Sequence, residues 1–233
     1  MDDKVIAAVQ ADLDGDGKLE NVALTGKRPE GQLAWQDLQL VIGGGSHCSA
    51  AVIPLKDQIA YDPYLAAGRF TQGRQEQVLI VLPTGGSGGI VNFRVYGLEK
   101  GQYALLLSSD AYAAEYPFTV TYLNGYRAMV KNEKNGAEYL IDLSGRDAEY
   151  LNGIYDATGK LKAAQQGFVE PVGLIYPADV DGDGVLELVI WQQVSGLYHA
   201  DQLGFVISRL AWDGNAFALS NQVVAVPPID AGR

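Results

Sequence analysis

Two separated stretches of this chain repeat one another almost residue for residue, and they limit what it can fold into more than any other feature. The first reads Ala11-Asp-Leu-Asp-Gly-Asp-Gly-Lys-Leu-Glu-Asn-Val-Ala-Leu24. The second reads Ala178-Asp-Val-Asp-Gly-Asp-Gly-Val-Leu-Glu-Leu-Val-Ile-Trp191. Each sets aspartates at alternate positions of a glycine-turned loop, adds a glutamate at the ninth position, and then turns into an apolar run. Alternate carboxylates in such a loop converge on one hard cation, and Ca2+ takes roughly six to eight oxygens from carboxylates, carbonyls and water. The expected side-chain ligands are Asp12, Asp14, Asp16 and Glu20 in the first loop, with the carbonyl of Lys18. In the second they are Asp179, Asp181, Asp183 and Glu187, with the carbonyl of Val185. Gly17 and Gly184 stand at the sharp turn, where a side chain is penalised at positive φ.

The flanks exclude an EF-hand. That loop carries its bidentate glutamate at position twelve, which here is Ala23 or Ile190, and helices enclose it. Here the acid comes earlier and strand-like sequence follows. Left without a cation, four carboxylates in nine residues repel one another at neutral pH. The overall charge carries the same signal: of 28 acidic residues, eight belong to these two loops, and the formal net charge is −11. An acidic chain with no cluster of Lys and Arg is not built for nucleic acid.

The loops also suggest a repeat. A degenerate copy lies from Gly68 through Phe70, Gln72 and Gly73 to Glu76, ahead of Val78–Leu82, with Gly68, Phe70 and Gln72 in place of the aspartates. Asp12 to Gly68 is 56 residues and Gly68 to Asp179 is 111, which places a weak fourth copy near Asn124-Gly125. A period of this size suits a multi-strand unit repeated along the chain. The expected units are 8–64, 65–117, 118–174 and 175–233 of a single domain spanning 1–233. No metal is expected at the degenerate copy, despite Glu76.

Alternating segments bounded by glycine, asparagine and aspartate fill each unit, among them Val91–Tyr96, Tyr103–Leu107, Gly204–Leu210 and Phe217–Val226. With 28 glycines and 13 tyrosines, the composition suits short strands and tight turns. The fold class predicted is all-β. One segment departs from this: Ser144 to Asp147 can cap a short helix near 145–155, ended by Gly159.

The pattern Asp-x-Asp-Gly-Asp-Gly-x-x-Glu running into an apolar strand resembles the FG-GAP and VCBS repeats, including integrin-α-type propeller blades. The resemblance implies a β-propeller-like repeat of about four units and structural Ca2+ at the eight acidic residues named above. It further implies a secreted or cell-envelope setting, in the manner of bacterial exported VCBS-repeat proteins. The opening Met1-Asp2-Asp3-Lys4 is not a secretory leader, so such a setting needs one that this sequence does not carry.

Three other features invite a chemical reading. Gly85-Gly-Ser87-Gly-Gly89 matches the nucleophile-elbow pattern, but that motif needs a helix after it, and Ile90–Tyr96 reads as strand. His47 and Cys48 are sequence neighbours whose side chains diverge on a strand, so Cys48 is expected to be a small buried or edge residue. His199 and Asp201 share a face if extended, which allows a ligand-binding role, with a structural hydrogen bond as the ordinary alternative. The resulting expectation is a non-catalytic, calcium-stabilised domain that binds an extracellular protein or glycan. The alternatives are a glycan-active hydrolase or lyase and a structural envelope or spore component. No apolar stretch is long enough to span a bilayer as a helix.

Overall fold

The structure, a computed structural model, describes residues 3–56 and 58–227. Strands β1 (Lys4–Ala11), β2 (Glu20–Lys27), β3 (Gln36–Ile42) and β4 (Ala51–Pro54) form an antiparallel sheet in chain order. A second sheet follows the same plan with β5 (Tyr64–Gly68), β6 (Gln77–Pro83), β7 (Val91–Glu99) and β8 (Gln102–Ser108). Helix α1 (Ser109–Glu115) then leads to β9 (Phe118–Leu123), β10 (Arg127–Asn132) and β11 (Glu138–Asp142). After α2 (Ala148–Ile154) come β12 (Gln166–Ala178), β13 (Glu187–Ser195), β14 (Gln202–Trp212) and β15 (Phe217–Ala225). The all-β class expected from strand alternation is what these fifteen strands and two short helices display.

The arrangement of units differs from four separate blades. Strand β9 pairs with β12 at Thr121↔Gln166 and Val120↔Gly167, so the last seven strands make one sheet in the order β11-β10-β9-β12-β13-β14-β15. The break expected between residues 174 and 175 falls inside β12. Chain-local periodicity cannot reveal such a merger, because it depends on two backbone pairs more than forty residues apart in sequence. A single helix near 145–155 was expected, and α2 lies there, capped by Asp147 rather than by Ser144. Helix α1 was not foreseen. Its signal is Ser108, whose hydroxyl accepts the N–H of Ala111 in the manner of an N-cap.

The second sheet lies between the other two. Val78, Ile80 and Leu82 of β6 join Val22, Leu24, Leu40 and Ile42 in one core. The opposite face of the same strand, Leu79 and Val81, packs with Ile175, Leu188, Ile190 and Leu210 in another. A strand covered on both sides gains nothing from alternation, which explains why Val78–Leu82 is an uninterrupted apolar run. The third core, under β9–β11 and α2, includes Val120, Ile141, Ile154 and Val206.

Candidate metal centres and a neighbouring cleft

Both acidic stretches are hairpin connections of the same build. Ala11 pairs with Glu20 at the end of β1 and the start of β2, and Ala178 pairs with Glu187 between β12 and β13. In the first loop the Asp12 carboxylate accepts N–H bonds from Gly15 (2.8 Å) and Gly17 (2.9 Å), while Glu20 accepts from Leu13 (2.9 Å). In the second, Asp179 accepts from Gly182 (2.8 Å) and Gly184 (3.1 Å), and Glu187 from Val180 (2.8 Å). Lys18 and Val185, named for their carbonyls, donate their N–H groups to Asp16 and Asp183, both at 2.7 Å. The turns need glycine: Gly15, Gly17, Gly182 and Gly184 all have φ between 78° and 87°.

The loops gather their carboxylates accordingly. Ligand atoms of Asp12, Asp14 and Asp16 lie within 4.8 Å of one another, as do those of Asp179, Asp181 and Asp183. Glu20 groups with Asp14 and with Cys48, again within 4.8 Å, whereas Glu187 stays outside the second triad. Each carboxylate oxygen that accepts one N–H keeps a further lone pair for a cation. Both triads therefore fit a hard divalent ion by donor type and spacing.

Their surroundings differ. The segment Gly43–Cys48 folds over the first loop, and the N–H of His47 donates to Asp14 (2.7 Å). A methyl group on Gly45 would lie 2.4 Å from Oε1 of Glu20 and 2.7 Å from Oδ2 of Asp14, so the cover sits directly on the acids. Asp14 and Glu20 are left 9% and 4% exposed, with no basic side chain in ion-pair contact among the described residues. Asp16 is the exception, 3.5 Å from the ammonium of Lys18, and hydrogen bonds led by that from Ser46 hold its pKa below the ordinary aspartate value. The hydroxyl of Tyr103, from β8, is buried beside the cluster and makes no hydrogen bond of good geometry among the described residues, and its pKa is driven up first by burial and then by the adjoining Cys48 thiol, Glu20 and Asp14. The aspartates of the second loop are exposed.

The degenerate third loop is a true structural counterpart, in a frame one residue later than its sequence suggests. Gly68 pairs with Gln77, as Ala11 does with Glu20, and Gln77 accepts the N–H of Phe70 (2.7 Å) as Glu20 accepts that of Leu13. The aspartate positions are therefore held by Arg69, Thr71 and Gly73, not by Gly68, Phe70 and Gln72, and the glutamate position by Gln77, not Glu76. Glu76 instead clamps the first loop, donating its N–H to the Asp12 carbonyl (2.8 Å) and accepting the Asp12 N–H at Oε2 (2.7 Å). Arg69 reaches the second loop and donates to the carbonyl of Gly184 (2.6 Å). At Asn124–Tyr126 the fourth copy is reduced to a three-residue turn between β9 and β10.

The remaining candidates part company. Asp201 is buried, accepting from Leu197 N–H (2.9 Å) and the Tyr150 hydroxyl (2.8 Å), with Arg146 at 3.6 Å. Beside it the Tyr122 hydroxyl is pushed up to about 12, chiefly by burial. His199 turns outward from the bend after β13 and meets Glu170 instead, Nδ1 to Oε1 at 2.8 Å. Glu170 is held from the other side by the hydroxyl of Ser195 (2.8 Å). His199 and Glu170 border a cleft of about 670 Å3 that Ser87 also lines. Strand β7, not a helix, follows Ser87, so the nucleophile-elbow geometry is absent. No sequence spacing marks Glu170; it is 29 residues from His199.

Residues 116–225 match the model of the YybI C-terminal domain. Uncharacterized protein YybI of Bacillus subtilis (strain 168) is 36% identical over 222 residues, covering 95% of this chain and 85% of that protein. The chain belongs to the YybI family. This corrects the FG-GAP/VCBS assignment, which rested on two fourteen-residue stretches; a loop this short can arise on any β-hairpin with the right turn. A calcium-binding family is not indicated either, so the case for a cation rests on the loop residues themselves. The matched YybI domain embraces β9 to β15, hence the second loop, Glu170 and His199. No solved structure matches the chain. Among the described residues, no helix is long and apolar enough to cross a membrane.

Proposed function

We propose that this YybI-family chain is a non-catalytic domain stabilised by two structural Ca2+ ions, and that it binds a protein or glycan outside the cytoplasm. The observation that carries the reading is the Asp14–Glu20 pair, buried and adjacent, with no basic side chain in ion-pair contact among the described residues. Buried negative charge is costly unless it is compensated, and a divalent cation compensates it with the oxygen donors present. Asp12, Asp14, Asp16 and Glu20, with the Lys18 carbonyl, would hold one ion. Asp179, Asp181, Asp183 and Glu187, with the Val185 carbonyl, would hold the other. The charge each ion supplies would fasten sheets together, since the first loop is clamped by Glu76 and the second by Arg69, both from the central sheet. Loops of this kind in extracellular modules bind at millimolar calcium, which suits a location outside the cytoplasm.

Thermal melting in millimolar calcium and in excess chelator tests this. The melting temperature is expected to rise with calcium, and the rise to shrink in Asp14→Ala and again in Asp181→Ala. Equal melting temperatures with calcium and with chelator would overturn the reading.

A further inference from the structure

The cleft beside Glu170 and His199 has a chemistry of its own. It opens between the 85–89 glycine loop and the turn after β13, with a volume of about 670 Å3. A smaller recess of about 310 Å3 adjoins it and shares Gly88, Glu170 and Gln193. The larger part is mainly apolar in surface but carries the polar side chains Glu170, Gln193 and His199. Glu170 uses Oε1 for His199 and Ser195, and no hydrogen bond occupies its Oε2 among the described residues. Gln193 commits its amide N–H to Ser195 and to the His199 carbonyl, leaving its own carbonyl oxygen unpaired. His199, 85% exposed at the side chain, leaves Nε2 equally unengaged.

The smaller recess is apolar, walled by Leu174, Trp191 and Phe205, the last two rings meeting edge to face at 5.6 Å. The indole N–H of Trp191 finds no acceptor among the described residues. From the recess an apolar row continues across four neighbouring strands, where Leu174 pairs with Trp191, Trp191 with Ile207, and Ile207 with Val223. Leu174 and Val223, at its two ends, are 45% and 48% exposed. Among the described residues, neither Lys nor Arg lines the cleft or the recess.

We infer that this composite cleft is a binding site for an uncharged saccharide, which rests on the reading of the chain as a binding domain. Sugars combine vicinal hydroxyls with apolar C–H faces. The first match a carboxylate, an amide and an imidazole that each keep a hydrogen-bonding atom free, and the second match an aromatic wall beside them. A lining without cations disfavours phosphate, sulfate or carboxylate ligands, and the chain's charge of −11 disfavours them further. An extended peptide adding to a sheet would use an unpaired strand edge. At this site the backbones of β13 and β14 are paired on both sides, and the edge of β12 beyond Gly167 is met from the second sheet, the Tyr64 hydroxyl donating to the Ile175 carbonyl (3.1 Å).

The test uses the full chain on a panel of neutral hexose and N-acetylhexosamine oligomers of two to six units, followed by calorimetry on the tightest binder. His199→Ala and Gln193→Ala, each measured well below its own melting temperature, are expected to weaken that binder at least tenfold, since both side chains line the cleft. Asp181→Ala, measured well below its melting temperature, is expected to keep full affinity. That separates loss of the sugar site from failure of the calcium reading. Binding to no neutral sugar, binding only to anionic sugars or to basic peptides, or undiminished binding by both cleft variants would each overturn the inference.

Discussion

The loops at 12–19 and 179–186 are one motif in two settings. Both hang between paired strands, hold their first aspartate with two glycine N–H groups, and tie their glutamate to the residue after that aspartate. Yet Leu13 is 1% exposed and Val180, at the same position, is 51% exposed. What separates them is the cover formed by Gly43–Cys48 together with Tyr103, which the second loop lacks. Donor geometry is thus set locally, whereas the electrostatic need for a cation is set by what packs on top. Asp14 beneath the lid costs a great deal and its counterpart Asp181 beside water costs little, while both glutamates, Glu20 and Glu187, are buried.

The largest expected effect comes from Glu20→Gln. Gln77 already makes the equivalent backbone bond in the degenerate loop, so the substitution keeps that contact and removes only charge. In about 10 mM calcium, a hundredfold above a Kd of about 10⁻⁴ M, it should lower stability by about 3 kcal/mol. In chelator it should match or exceed the unsubstituted chain, because a buried charge is gone. Glu187 is 5% exposed and as buried as Glu20, so the contrast lies with the exposed aspartates: Asp181→Asn should show a smaller loss and no gain in chelator. Urea unfolding of all four cases measures this, and identical behaviour of the two variants breaks the comparison.

Next is Gly45→Ala, whose methyl would overlap Glu20 and Asp14. Overpacking of this kind should cost about 2 kcal/mol. Gly182→Ala meets nothing within 4 Å and carries only the strain of φ +81°, so about 1 kcal/mol is expected. A larger loss at 182 than at 45 would show that the lid is not seated on the acids.

Cys48 reports on the lid itself. It is the single cysteine and is 8% exposed, so alkylation follows opening of this segment alone. Removing calcium should speed alkylation by roughly tenfold, equivalent to about 1.4 kcal/mol of local stability. An unchanged rate would mean that the ion does not hold the lid down.

The smallest effect is expected from Arg69→Ala. Its bond to the Gly184 carbonyl crosses from the central sheet to the second loop in an exposed setting, and its loss should cost about 1 kcal/mol at most. Measured with and without calcium, that cost sharpens the contrast if it appears only where the second loop is ordered by its ion.

Much of this architecture is legible in the chain. The runs at Val91–Tyr96, Tyr103–Leu107, Gly204–Leu210 and Phe217–Val226 all lie on strands apart from their last residue in one case, Val226, which lies just beyond β15. Alternation and turn residues act within a few positions of themselves, so one sequence suffices to read them. The degenerate loop shows where this begins to fail. Its period was visible, but with Arg69, Thr71 and Gly73 in the ligand positions nothing marked the frame, and only the pairing of Gly68 with Gln77 set it. Helix α1 was missed because its cap, Ser108, closes a segment otherwise read as strand.

The sequence alone determined the strand class, the two hairpin loops and the carboxylates each could offer, because donor spacing and turn conformation are properties of neighbouring residues. Tertiary structure alone decided that Leu13 and Asp14 are buried while Val180 and Asp181 are open, that β9 joins β12, and that His199 meets Glu170 while Asp201 turns inward to Tyr150. Each of those outcomes depends on groups brought together from tens of residues away by core packing. No local period encodes which surface will cover which.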